Sequence, residues 1–298
     1  MRTSETPASN IAYGPWTKAP PARPAPRGGE VRLVLKRAPD GTTAIAGLFH
    51  AQPLRVLFPY TERGDIFQAA IACVSGGLVG GDRLDIAVTL EDGAQACLIG
   101  QAAEKIYRSL GPDCEVETEL RAGNGAWLEY LPQETILFDA ARLRRRTQVF
   151  LGEASRFLGG SIVVFGRTAH SEKLRHGLLH DAWEVRRSDG RLKWKDALHM
   201  DGDFEALLAN PATFGGASAY GSLIYAGGDA AQYLTAVRET LPGSATLRSG
   251  ATSFRDLLIV RFLGSNTLEL RGAFAAVWKH LRATAAGLPP VLPRLWSI

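Results

Sequence analysis

Three stretches of this 298-residue chain hold residue types that could do chemistry. The first is Ser75-Gly76-Gly77-Leu78-Val79-Gly80-Gly81-Asp82. Four glycines in six positions would suit a loop that wraps a phosphate. A P-loop, however, follows its last glycine with Lys and Ser or Thr, which grip the phosphates and Mg2+. Here Asp82 and Arg83 stand in those places, which excludes nucleotide hydrolysis. No GxGxxG turn is present, and Gly216-Ala217-Ser218-Ala219-Tyr220 only approaches a GxSxG elbow. Each glycine costs about 0.5–1 kcal/mol in a regular element, so Gly76, Gly77, Gly80 and Gly81 must serve positive φ or close backbone approach. The second stretch is Glu104-Lys105-Ile106-Tyr107-Arg108-Ser109, five polar residues around one apolar one. It reads as a site or, more plainly, as a salt-bridged turn, and Leu131-Pro132-Gln133-Glu134-Thr135 poses the same choice. The third is His170, His176 and His180 with Asp181. These could ligate a transition metal or could simply face solvent from a polar loop.

The elements that must position these residues are strands. Val31, Leu33 and Leu35 alternate with Arg32, Val34 and Lys36, a period of two. Pro39-Asp40-Gly41, Glu91-Asp92-Gly93 and Ser188-Asp189-Gly190 read as turns. The sequence predicts strands near 42–50, 54–60, 65–74, 83–90, 94–100, 115–120, 126–131, 143–151, 161–166, 179–187, 191–199 and 257–262. Glu115, Glu117 and Glu119 alternate with apolar residues and read as a solvated strand face. Helical spacing appears only at 229–240 and 268–286. The βαβ rhythm of a doubly wound sheet is missing. The expected fold is mainly β, a stacked-strand, β-helix-like scaffold with a smaller α+β C-terminal part of about two helices.

Residues 1–29, rich in Pro, Ala and Arg, read as a flexible leader. Residues 30–298 read as a single domain, with a β-rich body at 30–200 and an α+β part at 201–298 packed on it. The net charge is +4, and +3 of it falls in the leader. A nearly neutral body argues against nucleic acid as a partner. The uncharged run 206–228 contains Asn210, Pro211 and several glycines, so it is no membrane span. Cys73, Cys97 and Cys114 form no CxxC pair, and Cys73 and Cys97 suit a strand core. Sparse cysteines and the lack of an apolar signal core predict a cytoplasmic protein.

In these same residues the chain resembles the UreD (UreH) family of urease accessory proteins. The resemblance is carried by Gly76-Gly77-Leu78-Val79-Gly80-Gly81-Asp82, by Glu104-Lys105-Ile106-Tyr107-Arg108-Ser109, and by Trp127-Leu128-Glu129-Tyr130-Leu131-Pro132-Gln133-Glu134. Leu137-Phe138-Asp139-Ala140, Gly166-Arg167 followed by Glu172, and Pro293-Arg294-Leu295-Trp296 complete it, in family order. It implies a non-catalytic scaffold that joins UreF and the GTPase UreG, docks on urease apoprotein, and assists Ni2+ delivery through a water-filled passage. GTP would be bound by the GTPase partner, and this chain would have no cofactor of its own, only Ni2+ in transit.

The resemblance further implies that Asp82 and Glu172 line the passage as weak, transient metal ligands. Glu104, Lys105, Tyr107 and Arg108 are the other lining candidates, and the four glycines are structural. Glu104 stands where the family usually has Thr or Ser, Gln68 where His is common, and Ser171 where Gly precedes the acid. The alternative reading is a β-helix-like carbohydrate-active enzyme using paired carboxylates, which would need two acids in an open groove.

Overall fold

The structure is a computed structural model that describes residues 28–167 and 173–296. His170, Ser171 and Glu172 lie outside the described residues, as does the leader up to residue 27. In chain order the strands are β1 (Gly29–Arg37), β2 (Thr43–Ala51), β3 (Leu54–Leu57), β4 (Phe67–Cys73), β5 (Arg83–Leu90), β6 (Gln95–Gly100), β7 (Glu104–Ile106), β8 (Cys114–Ala122) and β9 (Trp127–Leu131). They continue as β10 (Thr135–Leu137), β11 (Arg142–Leu151), β12 (Arg156–Phe165), β13 (His176–Arg187), β14 (Leu192–Asp203), β15 (Ala219–Ala226), β16 (Leu247–Phe254) and β17 (Leu257–Gly264). The helices are α1 (Phe204–Ala209), α2 (Leu234–Thr240) and α3 (Thr267–Ala286).

Two sheets face each other. The first runs β14-β13-β11-β8-β5-β1-β2, and the second β16-β17-β15-β12-β9-β6-β4-β3, with β10 paired to β12 and β7 paired to β10. The chain alternates between them, β4 to β5, β6 to β8, β9 to β11, β12 to β13. Parallel neighbours need a crossover, and here a strand of the opposite sheet supplies it instead of a helix. Each turn therefore stacks on the last, giving a solenoid closed at both ends by antiparallel strands. The expected mainly-β stacked fold is what forms, with the short α1 added to the two helices read from spacing.

Strict alternation explains the first sheet. In β5, Leu84, Ile86 and Val88 point into the sandwich, and in β8 Val116, Thr118 and Leu120 do. The intervening charges face outward and pair there: Arg83 with Asp85 and Glu115, Arg121 with Glu119, and Arg142 and Arg144 with Asp113. Glu184 on β13 is the most heavily engaged, accepting from Arg146, Gln148 and Arg186 and pairing with Lys195 at 3.3 Å.

Although burial opposes its charge, those donors hold the Glu184 carboxyl down at about 2, against an ordinary 4.5. A lowered folded-state pKa gives stability that is present above the unfolded value and is lost as pH falls toward the folded one. Urea unfolding should therefore show stability falling between about pH 4.5 and pH 2. Glu184→Gln should be less stable at pH 7 and have a flatter acid limb. An unchanged acid limb would show that this carboxylate is not the cause.

The middle of the second sheet is buried on both faces, and β12 shows it as a near-continuous apolar run. Its outer face is covered by α3, which presents Leu270, Phe274, Val277, Trp278 and Leu281. Asn266 caps that helix by accepting from the Leu268 and Glu269 amides, and Gly287 ends it at φ +66°. Arg282 of α3 is fully buried and pairs with Glu129 of β9, itself fully buried, and with Asp65.

Candidate functional site

The glycine stretch lies against the Glu104–Ser109 stretch. Leu78 donates to the Lys105 carbonyl at 2.8 Å, and Tyr107 donates back to the Leu78 carbonyl at 2.8 Å. Space explains the two central glycines. A side chain at Gly77 would start 2.3 Å from the Tyr107 ring, and one at Gly80 would start 2.1 Å from Ser109 Oγ and 2.4 Å from the Pro112 carbonyl. Gly80→Ala should therefore cost about 1–3 kcal/mol by overpacking. Gly76→Ala, at φ +77° with open space around it, should cost only about 1–2 kcal/mol of backbone strain. Urea midpoints of the two variants check the ranking, and a smaller loss for Gly80→Ala would contradict the close-approach explanation.

Asp82 closes this turn. Its carboxylate accepts from the Val79 amide at 2.8 Å, and its carbonyl accepts from the Glu115 amide at 2.9 Å. Asp82 does not line the interior cavity described next. Tyr107 packs edge-on against Phe138, with centroids 4.7 Å apart, and donates to the Gly76 carbonyl at 3.3 Å. Arg167 covers Phe138 at 4.5 Å. Tyr107 and Arg108 thus sit at the rim, and neither lines the cavity.

That cavity, of about 280 Å³, lies between the sheets under the glycine stretch. Glu104 and Lys105 line it, as do Gly76, Gly77, Tyr130, Thr135 and Arg145. Arg145 and Asp181 are inward-facing neighbours on the paired strands β11 and β13. Both are almost fully buried. The guanidinium donates to both Asp181 oxygens, at 2.9 and 2.6 Å, and to Thr135 Oγ1 at 2.7 Å. Burial works against its charge, but Asp181 keeps it firmly protonated. Burial raises the Glu104 carboxyl above its usual range; Arg145 counters this and Asp181 adds to it. Burial pushes the Tyr130 hydroxyl up to about 12.

Polar groups continue beyond Arg145. Ser161 donates to Asp181 at 3.4 Å and is the register partner of Ser222 across β12 and β15. Ser222 accepts from Arg261 at 2.6 Å, and Arg261 also donates to the Tyr220 hydroxyl at 2.5 Å and pairs with Asp196. Tyr220 and Arg261 line a shallow, open depression of about 410 Å³. A file of polar side chains therefore runs from the first cavity to this depression. It carries carboxylate and hydroxyl oxygens together with two guanidinium cations, Arg145 and Arg261.

Sequence reasoning missed Arg145, Asp181 as a carboxylate of this file, and Arg261, and it left Thr135 open between a site and a turn. The signal was present: Arg145 shares the inward register of Leu143 and Val149, and Asp181 that of Leu179 and Val185. Gln68 is buried and donates to Asp65 at 3.3 Å. His180 packs on His199 with centroids 5.4 Å apart, while the exposed His176 donates its amide to Asp139. Among the described residues no group of three or more His, Cys, Asp and Glu could hold a metal ion. Cys97 is buried as expected, whereas Cys73 is only partly so.

The remaining motif blocks form a joint with the C-terminus. Trp296 stacks on Phe274 and donates to the Leu131 and Pro132 carbonyls, at 3.3 and 3.2 Å. Gln133 donates to the Leu295 carbonyl at 2.7 Å, and Arg271 ties Gln133 and Glu134 to α3.

Fold and site together define a class: a strand-stacked scaffold wound around an apolar core that a short file of buried polar side chains crosses, with several of its motif residues in joints and turns. The family model for the UreD urease accessory protein matches residues 27–297. The chain is 44% identical over 274 residues to the urease accessory protein UreD of Magnetococcus marinus, covering 91% of this chain and 94% of that protein. It is 40% identical over 262 residues to the UreD of Rhizobium rhizogenes, covering 88% and 92%. With UreD 1 of Methylobacterium radiotolerans it shares 37% over 296 residues, covering 96% and 99%. The chain belongs to the UreD family of urease accessory proteins.

Proposed function

We propose that this chain is a non-catalytic maturation scaffold of the cytoplasm. It binds urease apoprotein and the accessory proteins UreF and UreG, and assists the passage of Ni2+ to the urease active site. The observation that carries this reading is the polar file running from the interior cavity to an open surface depression, in a chain of the urease accessory family. Nickel is cargo here, and GTP belongs to the GTPase partner. Residues 30–298 act as one domain, the α+β part packed on the β body. The paired-carboxylate enzyme reading gains nothing from the geometry, because Arg145 occupies Asp181 and bears on Glu104. No helix among the described residues is long and apolar enough to cross a membrane.

Co-expression with a urease operon tests the role. With the chain present, urease should co-purify with it and with UreF, and should contain nickel. Without it, urease should be nickel-poor and nearly inactive. Urease that reaches full nickel content and activity in its absence would refute the proposal.

A further inference from the structure

Arg145 is a resident cation in the polar file. It lines the first cavity, buried, with two bonds to Asp181 and one to Thr135. Four side-chain oxygen groups lie about it: Asp181 and Thr135 accept from its head, Ser161 donates to Asp181, and Glu104 shares the cavity wall and is the register partner of Thr135. Without the guanidinium these would form an oxygen site with two carboxylates, a set that suits a hard or borderline divalent cation. A carrier needs its cargo to leave, so such a site would trap rather than conduct.

Resting on the passage reading above, we infer that Arg145 is the gate of the passage: its guanidinium occupies the Asp181 end of this oxygen site, so that a divalent cation arriving at Glu104 displaces it only transiently and is not retained. The planar fork matters, because two parallel bonds hold Asp181 in a way that a point charge cannot. Glu104 is the entry acid: it lines the same cavity and is less buried than Arg145.

The test uses the full chain in complex with co-purified UreF, incubated with excess Ni2+, desalted and analysed for metal. Wild type should retain little nickel. Arg145→Met should retain about one ion per chain, at least tenfold more, while urease matured with it contains less. Arg145→Met/Asp181→Asn removes the pair together and should return retention to the wild-type level. If Arg145→Met does not fold because Asp181 is left unpaired, Arg145→Lys keeps the charge but not the fork, and should retain nickel at an intermediate level. A folded Arg145→Met or Arg145→Lys protein that retains no more nickel than wild type overturns the gate. The passage itself is judged separately, by a variant that plugs the cavity. If the plug abolishes maturation while Arg145→Met does not change retention, the passage stands and the gate falls. If the plugged protein matures urease normally, the passage reading fails.

Discussion

Arg282→Met should lower the stability of the protein by about 3–5 kcal/mol, the cost of breaking a buried ion pair by removing one partner. Arg282 has no exposed surface. Its Nε donates to both Glu129 oxygens, at 2.9 and 3.1 Å, and its Nη1 to the carbonyls of Pro289 and Val291, at 3.1 and 3.0 Å. Its Nη2 pairs with Asp65. Methionine would fill the aliphatic volume but leave two buried carboxylates, Glu129 with the Trp127 indole at 2.8 Å and the Cys97 thiol, and Asp65 with the Ile66 amide at 2.6 Å and Gln68 at 3.3 Å. The loss should appear in the urea midpoint. Arg282→Met/Glu129→Gln/Asp65→Asn, which buries no charge, should recover most of it. A triple variant no more stable than the single one would show that the charges are not the source of the loss.

Ala103→Trp should lower urease maturation in cells to about a tenth or less, because a hydrated ion needs room for its water and an indole removes it. Ala103 lines the first cavity on the loop between β6 and β7 and is only partly exposed. It lies outside the strands, so its replacement should leave the sheets and the partner complex intact. Co-purification with UreF at wild-type yield, together with low urease activity, is the expected pair of results. Normal activity with the cavity plugged would remove the passage from the account.

The fold was legible wherever one face of a strand meets solvent. The alternation in β5, β8 and β11 and the turns at 39–41, 91–93 and 188–190 mark strands without reference to anything distant. The covering helix α3 was legible from its spacing and its final Gly287. What the chain does not announce locally is which polar residues point inward. Arg144, Arg145 and Arg146 are consecutive, and only the middle one enters the sandwich. Its partner Asp181 is 36 residues away. The alternation holds the answer, but a charge triplet on a strand looks like surface until its register is set by Leu143 and Val149.

The family motifs hold other roles that spacing does not show. Asp82 stands out in sequence because glycines surround it, and its carboxylate accepts from the Val79 amide within that turn. Glu129 belongs to a block that reads as apolar with an acid inside it, and its work is to anchor α3 through Arg282. Glu104 was visible as a departure from its family, and it lies in the cavity wall. Close approach and long-range charge pairing are three-dimensional facts, so sequence spacing carried only a part of the site.

The most direct measurement of the central claim is nickel transfer in the presence of an external chelator. Preassembled complex, with nickel loaded on its GTPase partner, is mixed with urease apoprotein and GTP while EDTA is present in the bulk solution. A sheltered path through this chain predicts that the nickel content of urease is the same with and without EDTA, and that Ala103→Trp abolishes this protected transfer. Nickel content that falls in step with the chelator, equally for wild type and Ala103→Trp, would mean that the metal travels through solvent and that the interior file is not its path.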